Sequence, residues 1–138
     1  MRIIVDTNVV VSGLLWRGSP SVLMDLGLNA AVEFFTSEKL LKELAATLGK
    51  NSIKPQLERQ RLTAAGIVSD YRHMCALVEP APIASIAPDP DDDWVIATAL
   101  AAEADLIVTG DKPFLAVGAV GQLRIVGVAE ALEIIGGG

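Results

Sequence analysis

The sequence predicts an α/β domain built on a mainly parallel sheet, and three observations lead to this prediction. The chain of 138 residues has the length of one ordinary domain. Short apolar runs alternate along it with segments of helical pattern. Hydrophobic residues make up 51% of the chain and aromatic residues only 4%, so we expect an interior of aliphatic side chains. We find no internal repeat or linker, and we predict a single domain over residues 1–138.

The N-terminal segment predicts a strand, a loop and a helix. Residues 3–5 form a β-branched apolar run that ends at Asp6, which is typical of a buried parallel strand. The residues after Asp6 are interpreted as a loop. Ser19 and Pro20 form a helix start, with the serine as N-cap and the proline in the first turn, so a helix is expected over residues 20–28.

The middle of the chain predicts a second strand and further helices. The strand is expected over residues 32–35. Ser37 then caps a helix in which leucines recur at a spacing of four residues until Gly49 ends it. Residues 55–77 are helical in character, with a break expected at Gly66.

The C-terminal half continues the alternation of strands and helices. We expect first a strand over 76–79, then a loop rich in Pro and acids, and then an apolar helix whose first turn carries three aspartates. A strand over 105–108 follows, with a turn and a short helix after it. The chain is expected to end with a strand over 124–128 and a closing helix over 129–135. These strands and helices complete the predicted α/β pattern.

Charge is distributed unevenly along the chain, whose net charge is −6. Residues 38–72 carry seven basic and four acidic side chains, a net charge of +3, whereas residues 79–111 carry eight acids and no base, a net charge of −8. One face could then attract phosphates while an acidic cluster holds cations, although two ordinary solvated surfaces would produce the same pattern. The bases that could contact phosphates are Lys39, Lys42, Lys50, Arg59 and Arg61.

Several classes of site are excluded by what the sequence lacks. Cys75 and His73 are the single cysteine and histidine, so neither an internal disulfide nor a His/Cys zinc cluster can form, and a cytoplasmic location is expected. No apolar stretch reaches the roughly 18 residues of a membrane helix.

Walker A, dinucleotide-binding and G-x-S-x-G motifs are missing, which argues against kinase-like and serine-hydrolase chemistry. Trp16 and Trp94 could stack on bases, although a partly buried core position is the commoner role.

Acidic residues are expected to gather at the carboxyl ends of the strands, where open parallel sheets bind ligands. These acids are Asp6 after the first strand, Asp111 after the fourth, Asp92 or Asp93 at the start of a helix, and Glu43 beside a leucine stripe. Close carboxylates repel unless a cation neutralises them, and oxygen ligands without His or Cys suit Mg²⁺ or Mn²⁺. Such ions activate water for phosphodiester cleavage without a catalytic histidine. Taken singly, each acid could instead cap a turn or a helix, or lie in solvent.

Three segments and one helix resemble the PIN-domain ribonucleases. The segments are IIVDTNVVVSGLL, DPDDDWVIATALAAEADLIVTGD and KPFLAV, and the helix is the one that carries Glu43. The resemblance extends from Met1 to about Leu132 and is closest to toxin components of bacterial toxin–antitoxin pairs, similar to virulence-associated protein C. The spacing from Asp92 through ATA to VTGD is more specific than the D-T-N start.

The resemblance implies a three-layer α/β/α sandwich with four or five mainly parallel strands. It implies cleavage of single-stranded RNA by water that Mg²⁺ or Mn²⁺ activates, frequent homodimers and, for toxins, inhibition by an antitoxin protein. It places catalytic and metal-binding acids at Asp6, Glu43, Asp92 and Asp111, with Asp93 and Asp91 close enough to share the metal, and supporting residues at Thr7, Asn8 and Thr109.

Two other functions remain open from the sequence. Haloacid-dehalogenase-like phosphatases also have an aspartate after the first strand, which here would make Asp6 a nucleophile. Their second acid is Asn8 in this chain, and the lysine and later acid pair of that family are missing. A non-catalytic RNA-binding relative of the PIN domains would be expected to lack one of the four acids, and none is missing here.

Overall fold

The computed structural model describes residues 1–137, in which strands and helices alternate through most of the chain. The strands are β1 (Arg2–Val5), β2 (Glu33–Thr36), β3 (Cys75–Leu77), β4 (Leu106–Val108), β5 (Ala119–Val120) and β6 (Leu123–Val126). The helices are α1 (Thr7–Leu15), α2 (Ser19–Leu28), α3 (Glu38–Leu48), α4 (Lys54–Arg59), α5 (Ala64–Met74), α6 (Pro90–Ala101), α7 (Lys112–Leu115) and α8 (Val128–Gly137).

The strands form one sheet in the order β3-β2-β1-β4-β6-β5. All neighbouring pairs are parallel except β5 and β6, which are antiparallel. The predicted mainly parallel α/β fold is therefore confirmed, with six strands rather than four or five. The extra strand is the two-residue β5, which turns back onto β6 through Gly121 in a left-handed conformation, φ +61°.

Helices cover both faces of the sheet, which gives the predicted three layers. Ile3 and Val5 point to one face and pack in a core with α1, α2, α3 and α5. Ile4 points to the other face and packs in a second core with α6 and with Phe114 of α7. Parallel strands covered on both sides are expected to be apolar, as β4 is throughout and β1 is after the exposed Arg2.

The segment after Asp6 is the helix α1, so the predicted loop is wrong. The Asp6 carboxylate caps this helix by accepting the backbone N–H of Thr7 at 2.9 Å. The β-branched residues Val9 and Val10 are poor helix formers, but both are buried against the sheet, and this packing outweighs their intrinsic preference.

The break expected at Gly66 is also wrong, because α4 and α5 separate before it, at residues 60–63. Arg61 adopts the left-handed conformation there, φ +57°. Thr63 then caps α5, its hydroxyl oxygen accepting the backbone N–H of Gly66 at 3.0 Å. Gly66 therefore lies in the first turn of a helix.

No helix within residues 1–137 combines the length and the apolar character that crossing a membrane requires.

Candidate functional site

The site begins where β1 and β4 end side by side at the carboxyl edge of the sheet. Val5 and Val108 are paired, so the next residues, Asp6 and Thr109, meet. The Thr109 hydroxyl is fully buried and donates to Asp6 Oδ2 at 2.6 Å, while Asp6 Oδ1 accepts the Thr7 N–H. These two bonds hold the Asp6 carboxylate in one orientation at the N-terminus of α1.

Asp111 is connected to the same threonine. Its backbone N–H donates to Thr109 Oγ1 at 3.1 Å, and its Oδ2 accepts the backbone N–H of Phe114 at 3.1 Å, which caps α7. Phe114 is fully buried in the core, so this short helix is anchored to the sheet. Thr109 thus links the two acids that follow β1 and β4.

The first turn of α6 supplies further acids. Asp89 is the N-cap of this helix and accepts the Asp91 N–H at 2.9 Å, and Pro90 occupies the first turn. Asp89, Asp91 and Asp92 line the same cavity as Asp6. The loop that precedes the helix therefore ends in a cap that directs acids toward the end of β1.

Asp93 lies elsewhere, and the expectation that it shares a metal with Asp92 finds no support in its contacts. Its carboxylate accepts the backbone N–H groups of Ile86 at 3.0 Å and Ala87 at 2.8 Å, and the Ser85 hydroxyl at 3.4 Å. These bonds lower the pKa of Asp93, and the bond from the Ala87 N–H has the largest effect. Successive helical residues point about 100° apart, so Asp93 holds the preceding loop while Asp92 faces the cavity.

Glu43 reaches the cavity from α3. Leu40 and Leu44 bury the inner face of this helix, and Glu43 lies at the border of that face. Its Oε1 is buried and has no hydrogen-bond partner among the described residues. A buried carboxylate oxygen without a partner is costly, and a cation or an added proton would satisfy it.

Together these elements line a cavity of about 410 Å³ that is open to solvent. Its lining contains most of the residues predicted for the site, together with three that were not predicted: Ala46 and Thr47 of α3, and Asp89. The lining residues are Asp6, Thr7, Asn8, Glu43, Ala46, Thr47, Lys50, Asp89, Asp91, Asp92 and Asp111. Thr109 contributes to the cavity indirectly, through the hydrogen bond that its hydroxyl donates to Asp6.

The electrostatics of the cavity favour a bound cation. Burial, and then the charges of Asp6 and Asp111, raise the pKa of Asp92 to about 7. Burial, and then the charge of Asp91, raise the pKa of Glu43 to about 7. Burial also raises the pKa of Asp6, against the opposing effect of the Thr109 hydrogen bond. The unfavourable interactions among these carboxylates would be relieved by a divalent cation.

The donor set fits Mg²⁺ or Mn²⁺ in its chemistry, although the side chains do not converge on one point. All charged donors are carboxylates, the ligands that these hard ions prefer. Within residues 1–137, no three Asp, Glu, His or Cys side chains are arranged so that they could already hold a metal ion. Asp6 and Asp111 are instead turned toward the N–H groups that they cap. Side-chain rotation would therefore have to accompany binding of a cation.

The basic residues predicted to contact phosphates have different neighbours in the structure. Lys50 lines the acidic cavity. Lys39 lies over the ring of Trp94, with its Nζ 5.5 Å from the ring centroid. Arg59 donates to Gln56 at 3.1 Å on α4. The remaining two, Lys42 and Arg61, are exposed and do not line the cavity.

Asp89 is the acid that the sequence prediction missed. Its signal is present in the sequence, because Asp followed by Pro is a frequent helix start. His73, which was interpreted as structural, lies outside the cavity, its Nδ1 2.7 Å from the Ser69 carbonyl oxygen.

Known proteins share this fold. Residues 2–113 match the PIN domain family. A chain in the crystal structure of VapBC2 from Rickettsia felis, bound to a DNA fragment from the promoter, superposes with a TM-score of 0.58 at 14% sequence identity. The alignment covers 92% of this chain and 98% of that chain. None of the curated proteins matches. Since the family match spans most of the sequence and includes the ends of β1 and β4, the chain belongs to the PIN domain family.

Proposed function

We propose that the chain is a metal-dependent endoribonuclease that hydrolyses single-stranded RNA, with Asp6, Glu43, Asp92 and Asp111 as its catalytic acids. The observation that carries this proposal is the gathering of carboxylates from four separate segments in one cavity, where Glu43 retains a buried oxygen without a partner in residues 1–137. A Mg²⁺ or Mn²⁺ ion held by these acids would activate water and neutralise the charge of the phosphodiester. We extend the proposed nuclease domain over residues 1–138.

The chain's own residues would prepare the site for that ion. The Thr109 hydroxyl and the Thr7 N–H hold the Asp6 carboxylate at the edge of the cavity, from where a rotation of its side chain would direct an oxygen to the ion. Asp89 and Asp91 add negative charge beside the four acids. Lys50 is the one base that lines the cavity within the described residues, and its ammonium group would contact an RNA phosphate. Thr7 and Asn8 would orient the substrate from the start of α1.

We also propose that the nuclease is the toxin of a toxin–antitoxin pair, that it acts in the cytoplasm, and that it forms homodimers. Membership in the PIN domain family supports the nuclease activity. The fold that the chain shares with a chain of VapBC2 supports the toxin role. Co-expression with the product of a neighbouring small reading frame would test for an antitoxin, which should copurify and suppress RNA cleavage.

The activity is tested with a single-stranded RNA oligonucleotide and purified full-length chain. We expect cleavage with Mn²⁺ or Mg²⁺, none after chelation, and products that carry a 5′-phosphate and a 3′-hydroxyl. Asp6→Asn should remove nearly all activity, because it removes one ligand charge but keeps an oxygen that can cap α1. Asp25→Asn is the matched control, since Asp25 is exposed on α2 and away from the cavity.

Three outcomes would contradict the proposal. A 2′,3′-cyclic phosphate that still forms after chelation would show that the 2′-hydroxyl is the nucleophile. Release of phosphate from p-nitrophenyl phosphate without cleavage of RNA would favour the phosphatase, with Asp6 as nucleophile. Binding of RNA without any cleavage would favour a non-catalytic module.

A further inference from the structure

A second cavity lies on the other side of the first turn of α6. It measures about 400 Å³ and is lined by a proline-rich stretch of the loop before α6 and by Asp93, Trp94 and Ala97. The Trp94 side chain is 43% exposed, which is unusual for the largest apolar residue. The cavity therefore presents an aromatic ring and proline rings to solvent.

The apolar cavity and the acidic cavity are lined by consecutive residues of α6 and so lie on two sides of its first turn. Asp91 and Asp92 line the acidic cavity, and the next two residues, Asp93 and Trp94, line the apolar one. Lys39 of α3 lies near one residue of each cavity. Its ammonium group lies over the Trp94 ring, and its charge also acts on Glu43 one helical turn away. An RNA backbone with a phosphate at Lys39 would thus bring the nucleotide group next to that phosphate to Trp94.

The chemistry of the apolar cavity selects the kind of group that enters it. A flat, exposed indole ring stacks on any nucleobase, and prolines pack against base faces in the same way. The carboxylate of Asp93 repels a phosphate from the cavity, whereas Lys39 attracts one at its edge. A nucleobase stacked on Trp94, with its phosphate at Lys39, keeps the phosphate away from the Asp93 carboxylate and close to the Lys39 ammonium group.

We propose that Trp94 stacks on a nucleobase of the RNA next to the phosphate that occupies the acidic cavity, with Lys39 contacting the phosphate between them. This inference rests on the proposed ribonuclease function and adds a base-binding subsite to it. We assign no such role to Trp16. It is also 43% exposed, but it lines a different cavity with Arg17, Gln56 and Gln60, and no carboxylate of the acidic cavity lines that one.

The two tryptophans of the chain allow a direct test by fluorescence. In the full-length Asp6→Asn protein, which should not cleave RNA, Trp16→Phe leaves Trp94 as the single emitter, and Trp94→Phe leaves Trp16. Each protein is titrated with hexameric oligoadenylate and with a hexameric ribose-phosphate chain of equal charge that carries no bases. Binding is followed independently by anisotropy of an end label.

We expect oligoadenylate to quench Trp94 to saturation at the concentrations at which anisotropy reports binding, and to leave Trp16 nearly unchanged. The chain without bases should bind about 5- to 100-fold more weakly and quench neither tryptophan, since one or more stacked bases are lost. Trp94→Leu should weaken oligoadenylate binding by a factor in the same range, while Trp16→Leu should leave it within about twofold. Lys39→Met should reduce the salt dependence of binding by about one phosphate contact.

The proposal is overturned if saturated oligoadenylate leaves Trp94 emission unchanged, if both tryptophans are quenched equally, or if oligoadenylate does not bind. Thermal melts of each variant verify that it is folded, and Trp94→Phe retains an aromatic ring if Trp94→Leu unfolds. RNA cleavage by the wild-type chain decides the ribonuclease proposal separately. Cleavage without quenching of Trp94 refutes the subsite alone, whereas quenching without cleavage refutes the nuclease and keeps the base-binding site.

Discussion

Replacing Thr109 with valine tests whether the Asp6 carboxylate is held in place by its neighbour. Valine keeps the shape of this fully buried side chain but removes the hydroxyl. Two hydrogen bonds are lost: the one donated to Asp6 Oδ2 at 2.6 Å and the one accepted from the Asp111 N–H at 3.1 Å. A bond to a charged group contributes about 1.5–3 kcal/mol and an ordinary one about 1 kcal/mol, so we expect a loss of about 2.5–4 kcal/mol at neutral pH.

The size of this loss should depend on pH, because the Thr109 bond lowers the pKa of Asp6. The bond stabilises the ionised carboxylate more than the protonated one, so its removal raises the folded-state pKa of Asp6 further. The difference in unfolding free energy between wild type and variant should therefore be large at pH 8 and smaller at pH 4. In thermal melts with a chelator, the pH 8 difference corresponds to a drop in Tm of about 8–20 °C.

Thr98→Val is the matched control for this experiment. Thr98 is equally buried, and its hydroxyl lies 3.0 Å from Ser37 Oγ and donates to the Trp94 carbonyl oxygen at 2.8 Å. Neither partner ionises, so its loss should cost stability by the same amount at both pH values. If Thr109→Val showed the same pH-independent loss as Thr98→Val, or no loss, the inferred coupling between Thr109 and Asp6 would be wrong.

Further predictions concern the carboxylates and the core. Because the pKa of Glu43 is raised to about 7, its ionisation opposes folding above that pH, and Glu43→Gln should stabilise the metal-free chain by about 1 kcal/mol at pH 8 but not at pH 4 in chemical denaturation. Mn²⁺ should raise the Tm of wild type more at pH 8 than at pH 5, and an unchanged rise in Asp92→Asn would place the cation elsewhere. Asp93→Asn should lower Tm by a few degrees, about 1 kcal/mol, yet retain the Mn²⁺ effect. Gly27→Ala should lose about 1–3 kcal/mol, because its Cβ would lie 2.3 Å from the Phe34 ring, whereas Gly136→Ala, with open space around it, should not.

The sheet could be predicted from the sequence because its strands are nearly continuous apolar runs buried on both faces. β1 and β4 have this pattern, and the acids that follow them were predicted with it. Local patterns failed where a tertiary contact decides the structure. The valines of α1 favour a strand by propensity and become helical because the sheet buries them.

The run of three aspartates shows why parts of the site could not be assigned from sequence. Adjacent residues of one helix differ by about 100° in direction, and the sequence does not reveal where the helix faces. Asp93 is turned toward the backbone N–H groups of Ile86 and Ala87, a contact that depends on how the proline-rich loop folds back. Asp92, one residue earlier, is thereby left facing the acidic cavity.

The carboxylates of the acidic cavity fall into two groups, and this division explains how they coexist without a cation. Asp6, Asp89 and Asp111 are helix N-caps, and the side chain of each accepts a backbone N–H. Within residues 1–137, the side chains of Glu43 and Asp92 accept no such bond, and these are the two whose pKa is raised to about 7. With a pKa of about 7, Glu43 and Asp92 are each partly protonated near neutral pH, and this reduces the repulsion that a divalent cation would otherwise neutralise. A cation has to displace those protons, so its affinity should fall as the pH drops below 7.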